Sequence, residues 1–181
     1  MASSSTSTSH GNNDNYVFDV FINHRGPDVK QSLATDLYNS LCKHDLRVFL
    51  DQRELQEGEY ITPQIDSAVR TASVHIAIFS PGYAYSKWCL DELVLMVETM
   101  SKSKSTIIPV FYGVEPAELR WTQSKNGVYA RALCRLEKKR TFDGQQRHDS
   151  SAIEKWRNAL SQVADIKGFD LKTYDLETYN G

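Results

Sequence analysis

Glu92 is the side chain whose surroundings in this sequence most suggest chemistry. It lies in the segment SKWCLDEL, residues 86–93, which is typical of the beginning of a helix. Four side chains lie three or four residues away on such a helix and none is a cation: Trp88, Cys89, Leu95 and Met96. A helical wheel puts Glu92 on the shoulder of a buried stripe, beside Trp88. A carboxylate held against an indole at the rim of a core indicates a candidate functional site.

Strands and helices alternate along the chain and must position Glu92. Apolar runs predict strands at residues 16–22, 46–50, 74–79, 106–111 and 169–171. Within the fourth run Pro109 favours an edge or an irregular position, because proline donates no backbone hydrogen bond.

Helix signals lie between these strands. Asp28 is a candidate N-cap for the helix after the first strand. Thr62-Pro63 and a capping box of Ser151 with Glu154 predict the beginnings of two others, and a further helix is expected at about residues 127–137. This alternation predicts an α/β fold in which helices cover both faces of a parallel sheet.

Ligands of such sheets bind at the carboxyl ends of the strands. Three loops meet this description, at residues 23–28, 51–60 and 80–88. We therefore expect Arg25, Gly26 and Glu92 to face a single cleft.

Length and composition limit the function classes. The 181 residues suit one domain plus tails, and we divide them into a Ser/Thr/Asn-rich tail at 1–14, a domain at 15–172 and a tail at 173–181. The net charge of −2 gives no general attraction to nucleic acid or to anionic lipid. No apolar run approaches the ~20 residues of a membrane span, so no membrane partner is expected.

The sequence lacks the residues that several other functions require. Three widely spaced cysteines and five scattered histidines support neither a disulfide framework nor a metal site. The third strand ends Ile78-Phe79-Ser80 without the aspartate of a phospho-acceptor receiver. The loop after the first strand lacks the G-x-G-x-x-G of a dehydrogenase. The short basic run at 138–140 is typical of a solvated surface, so nucleic acid is not an expected partner.

Five segments together resemble plant Toll/interleukin-1 receptor (TIR) domains. They are YVFDVFINHRGPD at 16–28, RELQEGEYI at 53–61, YAYSKWCLDEL at 83–93, IPVFYGVEP at 108–116 with LR at 119–120, and WRNAL at 156–160. They follow one another in the family's order. In many plant receptors a nucleotide-binding domain and a leucine-rich region come next, so a chain ending at Gly181 resembles a TIR-only protein or an excised domain.

The resemblance implies a flavodoxin-like fold with five parallel strands and helices on both faces. Many plant members hydrolyse NAD+ and make cyclic ADP-ribose variants, and the family's catalytic glutamate falls on Glu92. NAD+ is then a substrate, and no cofactor or metal is expected. The implied partners are other TIR domains, in a homo-oligomer that is weak in solution, and downstream immune proteins that the nucleotide product reaches. The implied location is the cytoplasm, with the nucleus as a further compartment.

Glycosidic chemistry explains why this family needs a carboxylate. Release of nicotinamide leaves positive, oxocarbenium-like charge on the ribose, which a nearby carboxylate stabilises. We hypothesise that Glu92 contacts the ribose hydroxyls, that Trp88 stacks on a ring or walls the pocket, and that Arg25 meets the phosphates. The predicted substrate-binding set is Arg25, Gly26, Trp88, Ser86, Cys89 and Asn23, and the predicted flexible loop contributes Arg53, Glu57 and Gly58.

Each of these residues also has an ordinary structural interpretation. Arg25 can form a salt bridge with Asp28 or Asp51, and Gly26 can serve only to allow a positive φ. Trp88 can be plain core packing, and for Cys89 we favour a buried small side chain. The acids and bases of the 51–59 loop are typical of a solvated segment.

Two other functions stay open beside the NAD+-cleaving enzyme. One is a non-catalytic adaptor that binds other TIR domains, because adaptors and enzymes share this fold. The other is a 2′,3′-cyclic nucleotide synthetase, in which the resemblance gives Cys89 a role. The chain also departs from its relatives at His24, at Pro27 and at Thr35-Asp36, where many have Ser-His on a self-association surface. That last departure puts one family interface in doubt.

Overall fold

The computed structural model describes residues 18–29, 33–50, 62–124, 126–145 and 147–171. Both predicted tails lie outside these ranges, as do Arg53, Glu57 and Gly58 of the predicted flexible loop. What the sequence predicts for those segments stays a prediction.

Five parallel strands form one sheet, as the sequence predicts. They are Val20–His24 (β1), Val48–Leu50 (β2), Val74–Phe79 (β3), Thr106–Tyr112 (β4) and Phe169–Leu171 (β5). Their order is β2-β1-β3-β4-β5, and every neighbouring pair is parallel. In this register Asn23 at the end of β1 lies beside Ala77 of β3.

Seven helices connect the strands in the described part of the chain. They are Gly26–Val29 (α1), Thr35–Cys42 (α2), Pro63–Thr71 (α3), Lys87–Lys102 (α4), Pro116–Arg120 (α5), Val128–Lys138 (α6) and Ser150–Ala164 (α7). A 3-10 turn, Tyr83–Tyr85, precedes α4. Within these ranges no helix has the length and apolar character needed to cross a membrane.

The alternation of side chains along the strands divides the core into two layers. Phe21, Ala77 and Phe79 point to the layer that contains the inner faces of α3, α4, α6 and α7. Val20, Ile22 and Ile78 point to the opposite layer, where Val29 of α1 and Leu37 of α2 pack. Helices therefore cover both faces of the sheet, as predicted.

The first strand lies later in the chain than the sequence predicts. It begins at Val20 and includes Asn23 and His24, which the sequence predicts in a loop. Asp19, directly before β1, connects the chain to the segment before β2. Its amide donates to the Arg47 carbonyl at 2.8 Å, and its carboxylate forms an ion pair with the Arg47 guanidinium. Asn23 and His24 are both buried, and α4 contacts each of them. Glu92 accepts from the Asn23 side-chain amide, whereas the Cys89 thiol donates to the backbone carbonyl of His24.

Two predicted helix caps are wrong. Asp28 lies inside the short helix α1 and does not cap the following helix, α2, which begins at Thr35. The N-cap of α7 is Asp149, whose carboxylate accepts from the Ala152 amide at 2.7 Å. The Asp149 carboxylate thus satisfies a backbone amide of the first helical turn, which is the role of an N-cap. Ser151 lies inside the helix and is not the cap.

Other local predictions are confirmed. Thr62 caps α3 by accepting from the Ile65 amide at 3.3 Å, with Pro63 at the first helical position. The apolar residues of the amphipathic helices α3 and α7 form their buried inner faces: Ile65, Ala68 and Val69 on α3, and Ile153, Trp156, Leu160 and Val163 on α7.

Pro109 lies in β4, an interior strand of the sheet, and pairs with Ala77 of β3. Pairing with β5 begins only at Val110, opposite Phe169. Beside Pro109 the chain before β5 runs close, because a Cβ at Gly168 would overlap the Pro109 carbonyl oxygen. In a strand the N–H and the carbonyl of one residue point to the same side. The Pro109 carbonyl points toward Gly168, away from β3, so the N–H that proline lacks would also point away from β3 and no bond to β3 is lost.

We expect Gly168→Ala to destabilise the fold by about 1–3 kcal/mol, because the new methyl group meets backbone that cannot move aside. Its Cβ would also lie 2.7 Å from Pro109 Cγ. Urea unfolding followed by circular dichroism measures the loss. Gly127→Ala is the matched control, since its Cβ would have no neighbour closer than 3.7 Å. Equal stability of the two variants would contradict the close approach at Pro109.

Candidate functional site

The candidate site lies where the order of the strands reverses. From β1 the chain passes to β2 on one side and then to β3 on the other side of β1. The carboxyl ends of β1 and β3 therefore border the crevice where sheets of this type bind ligands. Helix α4 follows β3 and carries Glu92 to this edge.

Glu92 is buried, with only 6% of its surface exposed. Its Oε2 accepts a hydrogen bond of 2.8 Å from Asn23 Nδ2 at the end of β1. The side chain is thus buried more deeply than the shoulder position that the helical wheel predicts. The hydrogen bond comes from a residue of β1, whereas the sequence predicts a contact with Trp88. Burial makes an ionised carboxylate costly, and the hydrogen bond from Asn23 offsets part of that cost.

Asn23 is fully buried and links three groups. Its Oδ1 accepts from the Tyr83 hydroxyl, and its Nδ2 also lies 3.4 Å from the Cys89 carbonyl. The Tyr83 hydroxyl lies 3.0 Å from the same carbonyl. Both ends of the amide are therefore engaged inside the protein, and Asn23 is placed to hold Glu92 and not to reach a substrate from this position.

Cys89 is a buried, protonated thiol. Its Sγ donates to the His24 carbonyl at 3.4 Å, and its amide donates to Ser86 Oγ, the N-cap of α4, at 3.3 Å. Burial, followed by the charge of Glu92, raises the pKa of the thiol to about 12, although Ser86 and Arg25 act in the opposite direction. The favoured structural interpretation of Cys89 agrees with this geometry.

Arg25 forms an ion pair with Asp28, one of the two acids that its structural interpretation names. Asp28 also accepts from the Ser80 hydroxyl and, at 3.1 Å, from the Gly82 amide. These bonds join the loops after β1 and β3, so the structure brings those two predicted loops together. The third predicted loop lies outside the described residues.

Gly26, Ser86 and Trp88 have clear structural positions. Gly26 is the first residue of α1. It does not have the positive φ that its structural interpretation proposes, since the described glycines at positive φ are Gly113 and Gly144. Ser86 is the N-cap of α4. Trp88 is half-buried, and its ring lies 4.8 Å from the Lys87 ammonium.

Sequence reasoning missed the roles of Gly82, Tyr83 and Asp28. A Cβ at Gly82 would lie 2.5 Å from Asp28 Oδ2 and 2.8 Å from Arg25 Nη1, so a side chain at this position would displace the ends of the ion pair. The sequence signal that could have found these roles is the Ser-Pro-Gly segment after β3. It lies in the 80–88 loop, one of the three loops predicted at the carboxyl ends of the strands.

Two cavities formed by described residues do not have Glu92 in their lining. One of about 560 Å³ lies between α3 and α4 and is lined by Pro63, Asp66, Asp91, Val94, Leu95 and Glu98. Another, of about 370 Å³, lies beside α5 and α7 and includes Arg120, Trp121 and Arg157. Among residues 18–29, 33–50, 62–124, 126–145 and 147–171, no three His, Cys, Asp or Glu side chains are grouped to hold a metal ion.

The sheet order and the buried carboxylate at its reversal define a flavodoxin-like α/β protein with a candidate site between β1 and β3. The chain belongs to the TIR domain family, whose model matches residues 17–179. A solved relative is the TIR domains of the activated Roq1 resistosome, which directly recognises the pathogen effector XopQ. It is 34% identical, with a TM-score of 0.70 and 91% of each chain covered.

Similar proteins come from plants. The chain is 33% identical over 168 residues to the TMV resistance protein N of Nicotiana glutinosa, covering 93% of this chain and 13% of that protein. It is 43% identical over 107 residues to the "Probable 2′ cyclic ADP-D-ribose synthase BdTIR" of Brachypodium distachyon, covering 59% and 46%. The chain thus spans less than half the length of these relatives.

Alkylation rates test the state of the Cys89 thiol. Because the thiolate reacts and burial raises the pKa of Cys89 to about 12, the group is protonated at pH 8. We expect iodoacetamide to modify the half-buried Cys42 and Cys134 of the native protein first, and Cys89 only after unfolding in urea. Peptide mass spectrometry follows each site. Labelling of Cys89 in the native protein as fast as the other two would refute the assignment.

Proposed function

We propose that this protein cleaves the bond between nicotinamide and ribose in NAD+, and that Glu92 is the carboxylate that stabilises the reacting ribose. One observation carries the proposal: a buried carboxylate lies at the reversal of strand order, held by an amide donor from β1. The similarity to a protein named as a probable 2′ cyclic ADP-D-ribose synthase supports the choice of NAD+.

The reaction needs a negative charge more than it needs an acid. The C1′–N bond breaks and its electron pair leaves with nicotinamide, which is neutral once released. Positive charge develops on the ribose, and a carboxylate in a poorly hydrated position stabilises it more strongly than one in water. Water then adds to C1′ and loses a proton to give ADP-ribose, or a nucleophilic group of the same molecule adds to give a cyclic isomer.

An amide is a suitable partner for such a carboxylate. The Asn23 N–H orients Glu92 through a hydrogen bond but carries no net charge, so it does not neutralise the carboxylate as a paired cation would. Arg25 supplies positive charge at the same edge of the sheet. Its ion pair with Asp28 leaves other N–H groups of the guanidinium for a phosphate, and its side chain is 30% exposed.

Self-association and immune signalling belong to the same proposal. The structural relative consists of TIR domains within a resistosome, which supports assembly through TIR–TIR contacts. Similarity to plant resistance proteins supports a role in immunity, and we infer that the nucleotide product is the signal that reaches downstream proteins. The cytoplasm, with the nucleus as a second compartment, is the proposed location.

A non-catalytic adaptor is the second candidate function. The 6% exposure of Glu92 favours it, because a carboxylate that only fastens α4 to β1 would have the same contacts. A cyclic nucleotide synthetase that uses Cys89 receives less support, since burial raises the pKa of this thiol to about 12 and its Sγ donates to a backbone carbonyl.

Nicotinamide release from NAD+ tests the proposal. We expect concentrated or tethered wild-type protein to release nicotinamide, measured by chromatography, and Glu92→Gln to lower the rate by about 10²–10³-fold, as loss of electrostatic stabilisation does in other enzymes. Glu92→Ala should fall at least as far. Glu98→Gln is the matched control, because Glu98 is an exposed acid on the same helix.

Two results would contradict this assignment. Equal release by wild type and Glu92→Gln, with both folded by circular dichroism, would remove Glu92 from the chemistry. No release by the wild type, even when tethered into oligomers, would favour the adaptor.

A further inference from the structure

We propose that Tyr83 is a positioning residue that acts on Glu92 through Asn23. Its hydroxyl sets the direction of the Asn23 amide, so that the N–H end and not the oxygen end faces the carboxylate. The importance of this for catalysis rests on the proposed function, whereas the positioning itself concerns only the protein.

The two ends of an asparagine amide have opposite hydrogen-bonding character. Nδ2 only donates and Oδ1 only accepts, while an ionised carboxylate only accepts. In the observed direction Nδ2 lies 2.8 Å from Glu92 Oε2. A half-turn of the amide would put Oδ1 against the carboxylate, an arrangement that is favourable only when Glu92 carries a proton. The direction of the Asn23 amide therefore selects between the ionised and the protonated acid.

The single hydrogen of the Tyr83 hydroxyl decides that direction. It has two acceptors within reach, Asn23 Oδ1 and the Cys89 carbonyl at 3.0 Å. When it points to Oδ1, the amide nitrogen is left to bond Glu92 and, more weakly, the Cys89 carbonyl at 3.4 Å. When it points to Cys89, the tyrosine oxygen can accept from a reversed amide. Removing the hydroxyl removes the group that holds Oδ1 away from Glu92.

Tyr83 is suited to this role because it is rigid and stays protonated. It is fully buried, and its ring lies 4.8 Å from the Phe79 ring and 6.4 Å from the Tyr129 ring. Burial raises the pKa of the phenol well above its ordinary value, with smaller contributions from Cys89, Tyr129 and Glu92. The hydroxyl is thus a donor throughout the pH range in which a carboxyl group titrates.

Three titratable groups that border this network keep one charge state over that range. His24 and Asp28 border it as well, and both are unchanged in every variant compared below. Cys89 on α4 is a neutral thiol with a pKa of about 12. Burial also raises the pKa of Tyr129 on α6. Arg25, after β1, is a permanent cation held by Asp28. A change in the titration of Glu92 on removal of the Tyr83 hydroxyl therefore has no source in their protonation.

A single hydroxyl deletion tests the proposal, and the fold offers a matched control. Tyr83→Phe keeps the stacked ring and removes the bond to Asn23. Tyr129→Phe deletes an equally buried hydroxyl from the next ring of the same stack, whose partner is the Ser80 carbonyl at 2.9 Å. Both variants lose one buried hydrogen bond, but only the first loses one that bears on Glu92.

The measurement is the titration of the Glu92 carboxyl carbon by 13C NMR in glutamate-labelled protein, with Glu92→Gln to identify the signal. We expect the midpoint in Tyr83→Phe to move to higher pH by about one unit, the size expected for weakening a hydrogen bond to a charged group. Tyr129→Phe should titrate as the wild type does. If the protein cleaves NAD+, the acid limb of its kcat/KM profile should move by the same amount.

A double-mutant cycle shows whether Tyr83 acts through Asn23. Asn23→Leu removes the amide donor and leaves the Tyr83 hydroxyl its Cys89 acceptor, so its midpoint should rise at least as far. If Tyr83 works through the amide, the double variant should titrate like Asn23→Leu alone. Asn23→Leu by itself serves should Tyr83→Phe fail to fold, because an unchanged midpoint in that variant would show that the amide does not affect the ionisation of Glu92.

The outcomes separate this inference from the proposed function. The positioning role is supported if the midpoint shifts of Tyr83→Phe and Asn23→Leu are non-additive, even if the wild type releases no nicotinamide. A folded Tyr83→Phe that titrates like the wild type overturns the role, whatever the activity. A further rise in the double variant beyond Asn23→Leu overturns it as well, because Tyr83 would then act on Glu92 directly.

Discussion

The hydrogen bond from Asn23 to Glu92 is the contact on which the candidate site depends. It joins the end of β1 to α4 where the strand order reverses. An ionised carboxylate that is 6% exposed requires a donor, because burying charge without one is far more costly than the gain from a single neutral hydrogen bond. The amide supplies the donor without a charge, so the arrangement keeps an acid at low hydration and in a fixed direction.

The surrounding groups act mainly as supports for that contact. Tyr83 holds the far end of the amide, and the Cys89 thiol bonds the next carbonyl of β1, that of His24. Beside them, the Asp28 carboxylate connects Arg25 to the loop after β3, next to Gly82, where a side chain would displace the ion pair. Loops from two strands thus form one connected edge, which is the condition for a site at the reversal of a parallel sheet.

Membership of the TIR family is consistent with both an enzyme and an adaptor, because one fold hosts both. What distinguishes the two is local. An adaptor needs surfaces, whereas glycosidic cleavage needs a carboxylate whose ionisation and direction are controlled. In this chain the network that reaches Glu92 contains an amide, a phenol and a thiol that burial keeps protonated, and all three are neutral.

The sequence alone determined the order of strands and helices, the parallel sheet and most inner faces, because these follow from short-range periodicity and from chain connectivity. It also singled out Glu92 and the edge to which it belongs. Only the tertiary structure decided the partners. Asn23 and Glu92 are 69 residues apart, and Asp28 and Gly82 are 54 apart. Asn23 therefore looked like a loop residue and Asp28 like a helix cap, since what a buried polar side chain bonds depends on elements that meet only after folding.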